Sequence, residues 1–144
     1  MFKTILVATD GSDHAANALA TGCLLARELG GDLHLIHTPE LQTTSYAVGA
    51  SAVVVSSTPE EVAEAGEKVI SAASAKAKDA GCEIASAHVE QGDPAHVIQA
   101  RAEKIGADLL ITGRRGLGKI TGLLMGSVSQ KLGQIAPCAH MTVK

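Results

Sequence analysis

The sequence predicts a doubly wound α/β fold: a Rossmann-like five-stranded parallel sheet in the order 3-2-1-4-5, with helices on both faces. Two observations carry this. Strand and helix patterns alternate from one end of the chain to the other, which implies a parallel sheet with right-handed crossovers. In addition, Ile5-Leu6-Val7-Ala8 and Leu109-Leu110-Ile111 are apolar at every position, as strands covered on both faces must be. These two belong in the middle of the sheet. The remaining strand segments carry His34, Ser86, His88, His140 and Thr142 and fit nearer the edges. In such a sheet the winding reverses between the first and fourth strands, and ligands bind there, beyond the C-terminal ends of the strands.

Each element has local support. After the first strand, Thr9-Asp10-Gly11-Ser12 is helix-start chemistry, with Ser12 or Asp13 as cap. Apolar positions at Ala15, Leu19, Gly22, Ala26 and Leu29 then mark one helical face, ended by Gly30-Gly31. A second strand spans residues 33–37. Residues 39–58 show no stable period and read as a flexible loop that covers apolar surface in a dimer; a lid, a docking surface or a disordered insert are the other readings. Thr58-Pro59-Glu60-Glu61 is a strong helix start, with Thr as cap, Pro at the first position and Glu at the third. Val62, Val69, Ala73 and Ala77 form its inner face, and Gly81 ends it. A strand over 84–89 follows, then a helix opened by Gly92-Asp93-Pro94, with Ile98, Ala102 and Ile105 inward. The fourth strand leads into a Gly-rich loop, a helix over 127–134 and a last strand over 138–143.

Composition narrows the function. The 144 residues include one Phe, one Tyr and no Trp, so the core must be aliphatic. Stacking of bases on an aromatic platform is thereby excluded. A net charge of −3 provides no general attraction for nucleic acid or anionic membrane. Cys23, Cys82 and Cys138 lie far apart and form neither a zinc motif nor a CxxC dithiol; scattered cysteines of this kind suit a reducing compartment as small apolar filler. No signal-peptide architecture opens the chain. Its longest apolar stretch, residues 47–55, is interrupted by Gly49 and Ser51, well short of the roughly 20 residues of a membrane helix. The reading is a cytoplasmic protein of one domain, residues 1–144.

The chemistry concentrates in one loop. Residues 113–127 hold five of the 15 glycines, together with Arg114, Arg115 and Lys119. Glycines let backbone N–H groups approach an anion, and Gly126-Ser127 opens a helix whose N-terminus attracts phosphate. The combination points to a polyphosphate cradle at the switch point. Gly113-x4-Gly118-Lys119 imitates a Walker A loop, but position 120 is Ile where that motif needs Ser or Thr for Mg²⁺. A receiver domain would need a second acid beside Asp10, a phosphoacceptor Asp ending another strand and a late Lys; the third and fourth strands end in Glu90-Gln91 and Thr112-Gly113 instead. The six histidines show no HExxH or HxH spacing, and no GxSxG elbow occurs.

Gly113-x2-Gly116-x9-Gly126-Ser127 resembles the G-x2-G-x9-G-[S/T] signature of ATP-binding universal stress proteins. Ile5-Leu6-Val7-Ala8-Thr9-Asp10-Gly11-Ser12 looks like that family's opening strand and turn, and length and element order agree along the whole chain. The resemblance implies a nucleotide-binding, stress-response regulatory protein acting through nucleotide-dependent conformation or through a protein partner. It implies an ATP site built by Ala8, Thr9, Asp10, Thr38, Thr112, Gly113, Arg115, Gly116, Gly126, Ser127 and Val128. Asp10 would lie by the ribose and phosphates and could meet Mg²⁺; the backbone near Thr38 would meet the adenine edge; Thr112 and Gly113 would contact the ribose side. Gly116, Gly126, Ser127 and Val128 would hold the phosphates. The alternatives are a slow ATPase or phosphoryl transferase, and a partner-binding module with AMP or no nucleotide. A homodimer through the last strand, Ala139 to Val143, is implied as well, although Pro137-Cys138-Ala139-His140-Met141 departs from the family's Cys-Pro-Val-hydrophobic pattern there.

Overall fold

The computed structural model describes residues 2–40, 43–48, 51–117 and 125–144. Strand β1 (Thr4–Ala8) leads into α1 (Asp13–Leu29) and β2 (Asp32–His37). A hairpin, β3 (Thr43–Val48) and β4 (Ser51–Ser56), precedes α2 (Pro59–Asp79), β5 (Ser86–Val89), α3 (Pro94–Ile105), β6 (Leu109–Gly113), α4 (Ser127–Ile135) and β7 (Ala139–Val143). The main sheet has the order β5-β2-β1-β6-β7, with every pairing parallel. Counted without the hairpin, this is the expected 3-2-1-4-5.

The continuous apolar runs are explained by the two faces they serve. Ile5 and Val7 of β1, Leu33 and Leu35 of β2, and Leu109 and Ile111 of β6 join Ala18, Leu19, Cys23 and Ala26 of α1 and Ile70, Ala73 and Ala77 of α2. On the other face Leu6, Ile36 and Leu110 meet Ala95, Ile98 and Ala102 of α3 and Leu132 of α4. The large members of both clusters are at most a few per cent exposed, and each fully buried Leu or Ile contributes about 1.5–3 kcal/mol. Gly22 sets the distance between α1 and the sheet: a Cβ there would stand 2.6 Å from Val7 Cγ2. On α2, Ile70 rather than Val69 enters the core; Val69, one position earlier, turns toward the top of the sheet.

Helix starts follow the sequence closely. Ser12 caps α1 by accepting from the Ala15 N–H, and Asp93 caps α3 by accepting from His96. Thr58 and Glu61 form a full capping box, 3.2 Å in one direction and 2.8 Å in the other. Strands β5 and β7 begin slightly later than the apolar pattern suggests, at Ser86 and Ala139.

The loop expected over 39–58 is instead mostly hairpin. Pairing runs antiparallel from Thr43↔Ser56 to Val48↔Ser51 and makes a separate two-stranded sheet. The run is rich in β-branched residues, which favour extended backbone. Because small and apolar residues are intermixed, it lacks the strict alternation that would have announced strands.

Register is what builds the functional end. Ala8 pairs with Ile36 on one side and Thr112 on the other. The segments that leave β1, β2 and β6 therefore start side by side.

Candidate functional site

A cavity of about 710 Å³ opens at this C-terminal edge, within the range of roughly 300–1,000 Å³ usual for small-molecule sites. Ala8, Thr9 and Asp10 enter it from β1, Thr38 from just beyond β2, and Thr112 and Gly113 from the end of β6. Arg115 and Gly116 come from the loop that follows, and Gly126, Ser127 and Val128 from the start of α4. All eleven positions singled out in the sequence thus line one space.

Asp10 links two of these segments. Its Oδ1 accepts from the Ser12 N–H at 2.9 Å and its Oδ2 from the Leu117 N–H at 3.1 Å. The loop after β6 is thereby held against the loop after β1. Gly116 makes that approach feasible, because a Cβ on it would run into the Asp10 carboxylate. Gly113 performs the same service one turn earlier. A Cβ there would lie 2.8 Å from the Ala15 nitrogen and the His14 carbonyl carbon. His14 Nδ1 in turn accepts from the Arg115 N–H at 3.2 Å.

Below the loop runs a chain of hydroxyls. Ser129 donates to the Gly113 carbonyl at 2.6 Å, and Thr112 donates to Ser129 Oγ at 3.2 Å. With both hydroxyl hydrogens so used, the 2.9 Å contact between Thr112 Oγ1 and His140 Nε2 assigns the hydrogen to His140 Nε2. Burial holds His140 below the usual histidine range. On the opposite wall His37, buried, donates from Nδ1 to the Thr9 carbonyl at 2.7 Å, and the neighbouring Thr38 hydroxyl is buried without a hydrogen-bond partner among the described residues.

The α4 N-terminus differs from the other helix starts. Gly126 is its cap residue, in ordinary extended geometry (φ −70°, ψ 155°), and among the described residues no side chain caps the first turn. The Gly126 N–H donates to the Arg114 carbonyl at 2.8 Å. The first-turn N–H groups beyond it lack intrahelical acceptors by construction, and Gly126, Ser127, Val128 and Ser129 all face the cavity.

The charge pattern differs in part from the expected cluster of three basic residues. Arg115 lines the cavity, but Arg114 does not; its N–H donates to the Val143 carbonyl at 2.6 Å, toward β7. Lys119, Gly118 and Gly122 lie outside the described residues. Three carboxylates, Asp10, Glu40 and Glu61, also line the space, and Glu61 is held by its capping box.

Sequence reasoning missed one wall entirely. Val62, Ala65 and Val69 of α2, with His37 and Pro39, close the side opposite α4. The helical period marked Val62 and Val69 as inward-facing, but periodicity alone does not separate a core neighbour from a cavity. Among the described residues no group of three or more His, Cys, Asp or Glu side chains could hold a metal ion, and no helix is long and apolar enough to cross a membrane.

With the geometry in hand, comparison with known proteins is decisive about kinship. The family model described as "Universal stress protein family" matches residues 1–144. The chain belongs to this family. It is 37% identical over 144 residues to a universal stress protein of Thermus aquaticus, covering all of both chains. It is 33% identical over 149 residues to universal stress protein YxiE of Bacillus subtilis, again covering all of both. Among solved structures, the universal stress protein of Archaeoglobus fulgidus in complex with dAMP superimposes with a TM-score of 0.70 at 21% identity, over 99% of this chain and 98% of that one. At that identity the likeness establishes the shared fold.

Proposed function

We propose that the cavity binds an adenine nucleotide, with ATP as the preferred form, and that this family member acts as a regulatory module whose conformation or partners depend on the bound nucleotide. The observation that carries the reading is the convergence at α4. Gly113, Gly116, Gly126 and Ser127 of the Gly113-x2-Gly116-x9-Gly126-Ser127 spacing open on the cavity at a helix start that no side chain among the described residues caps. Such a terminus offers N–H donors and a positive dipole end to phosphate. Gly116, Gly126, Ser127 and Val128 hold the phosphates, assisted by Arg115. Thr112 and Gly113 face the ribose. The segment at Thr38 and Pro39, backed by His37 and Val62, takes the base.

Asp10 contacts the ribose, or would hold a Mg²⁺ with its carboxylate. A bound Mg²⁺ would supply charge neutralisation between this carboxylate and the triphosphate. Both Asp10 oxygens already accept backbone N–H groups that tie the two loops together; the carboxylate thus serves to position the site, and any ATP turnover is slow.

A second reading, an adenosine monophosphate site, is favoured by one observation: the structural relative from Archaeoglobus fulgidus was captured with dAMP. Titration calorimetry separates the two. ATP with Mg²⁺ is expected to bind at least about tenfold tighter than AMP, since the β- and γ-phosphates add charge-assisted bonds worth roughly 1.5–3 kcal/mol each. Equal affinities would establish the monophosphate reading. Mass spectrometry of ligand released from purified protein gives the second test: retained ATP supports the regulatory module, and ADP with phosphate release supports an ATPase.

The edge strand β7 completes the proposal. Among the described residues it pairs only with β6, which leaves one row of its backbone groups to a second copy, and like strands paired by a two-fold axis give a closed dimer. Light scattering at micromolar concentration should report a dimer or an assembly of dimers.

A further inference from the structure

Two cysteines 59 positions apart in the sequence meet in the fold. Cys23, on α1, is 7% exposed and belongs to the cluster between the sheet, α1 and α2. Cys82 follows α2, after a tight turn at Gly81 (φ +72°), and its N–H donates to the Ala77 carbonyl at 2.9 Å. It is partly buried, packs against the cluster that contains Cys23, and its thiol interacts with the Cys23 thiol. Cys138 lies on the other face of the sheet, against the cluster formed with α3 and α4. All three are free thiols.

We propose that Cys23 and Cys82 form an oxidisable dithiol, which a peroxide converts into an intramolecular disulfide tying α1 to the turn after α2. The inference is independent of the nucleotide reading. The overall change takes two thiols and one peroxide to one disulfide and two hydroxyl products, water alone when the oxidant is hydrogen peroxide. Cys82, the more accessible sulfur, attacks one peroxide oxygen; the O–O bond breaks, and the departing oxygen leaves with a proton. Cys82 is then a sulfenic acid. The Cys23 sulfur next attacks the Cys82 sulfur and loses its proton. The S–O bond breaks and the oxygen departs as water. Two electrons have passed from the sulfur pair to the peroxide.

The order of events follows from the surroundings of the two groups. Burial, together with the neighbouring Cys82 thiol, pushes Cys23 up to about 12, so Cys23 is a poor first nucleophile and a resolving one only after Cys82 has been activated next to it. The disulfide closes a loop that contains β2, the hairpin and α2, and α2 supplies one wall of the cavity. Oxidation therefore ties the C-terminal end of α2, the end away from the cavity-lining Val62 and Ala65, to α1.

The test uses the full chain. Native protein is treated with hydrogen peroxide, alkylated with iodoacetamide and analysed by intact mass and by a non-reduced proteolytic map. The expected product has lost two hydrogens, contains linked Cys23 and Cys82 peptides, carries an alkylated Cys138, and reverts with dithiothreitol. Its melting temperature should be higher by about 5–10 °C. C138S should behave like the parent, while C23S and C82S should fail to form the intramolecular link. Cys82 found as a sulfinic acid beside an alkylated Cys23, or disulfides only between molecules, would overturn the proposal. The mapping of the unsubstituted chain decides the matter even if C23S does not fold.

Discussion

The two ends of the central sheet use the same device for opposite purposes. At the N-terminal end Asp108 accepts from the N–H groups of Lys3 and Thr4 at 2.9 and 3.0 Å, while the Lys3 ammonium donates to the carbonyls of Leu29 and Gly30 at 2.7 and 3.0 Å. The polar groups at this end answer one another. Even the space is closed: a Cβ on Gly31 would come within 2.9 Å of the Lys3 carbonyl oxygen. At the C-terminal end Asp10 likewise accepts two backbone N–H groups, from Ser12 and Leu117. Around it, however, remain a cavity, an uncapped helix start and a buried Thr38 hydroxyl without a partner among the described residues. One carboxylate finishes the fold, and the other ties two loops together beside an open cavity. In an α/β sheet, satisfied polar groups at one end and open donors at the other are how a stable frame and a binding site coexist.

The largest effect is expected from filling the open end. A Cβ on Gly126 would find its nearest neighbours at 3.5–3.6 Å, ordinary contact, and its φ is not left-handed. Gly126→Ala should therefore fold normally, and Gly126→Val should fold while projecting into the approach to the α4 N–H groups. Loss of ATP affinity by about a hundredfold or more, roughly 2.8 kcal/mol, is expected for the valine variant. Unchanged affinity by calorimetry in a folded protein would remove the phosphate cradle from α4.

Exchanging the two carboxylates sharpens the contrast. Asp10→Asn should weaken ATP binding by about tenfold. It should reduce the dependence on Mg²⁺ if the metal bridges, and preserve that dependence if Asp10 serves the ribose alone. Its melting temperature should change little. Asp108→Asn should do the reverse. The Lys3 and Thr4 N–H groups hold the Asp108 carboxyl below the usual carboxylate range, so the ionised form belongs to the folded state, and its loss should lower the melting temperature by a few degrees. Nucleotide affinity should stay as it was. If Asp108→Asn altered binding as much as Asp10→Asn, the two ends would not be separable.

This division of labour was half legible in the sequence. Asp10 stood out because it follows a continuous apolar strand, and the glycine spacing 113-116-126 marked the loop that meets it. Asp108 carries no comparable signal: an acid just before a strand is ordinary, and its two partners lie more than a hundred residues away. The α2 wall was invisible for a different reason. Helical period identified the inward face of Val62 and Val69, but whether that face meets packed side chains or a cavity depends on where the helix starts relative to the sheet. The meeting of Cys23 with Cys82 is likewise a product of helix packing. The hairpin escaped because its β-branched residues lack alternation, and Arg114 was grouped with Arg115 because sequence adjacency in a loop does not reveal that only Arg115 lines the cavity.

Acid should provide the gentlest separation of the two ends. His34 and His88 converge on the Ser86 hydroxyl, at 2.7 and 3.1 Å, near the start of β5. His140 lies under the cavity, bonded to Thr112. All three are held below the usual histidine range: His34 and His88 first by burial and then by the Arg101 guanidinium, although Asp32 and Glu90 oppose this, and His140 by burial alone. The unfolded chain titrates near ~6.5. Between that value and the lower folded values the unfolded chain binds more protons, so stability is full above that pH and falls as the solution is acidified through the window. Melting temperatures measured from pH 7.5 downward should decline accordingly, with Asp108 and Asp93 adding a further decline at lower pH, where carboxylates held down by hydrogen bonds begin to protonate. His140→Gln retains an N–H donor toward Thr112 but cannot titrate, and should flatten part of the acid slope while leaving nucleotide affinity at pH 7.5 intact. His34→Gln should flatten another part without touching the cavity. If neither substitution changed the slope, the acid response would belong to the carboxylates alone, and the histidines at the two ends would be packing groups without a role in the protein's response to pH.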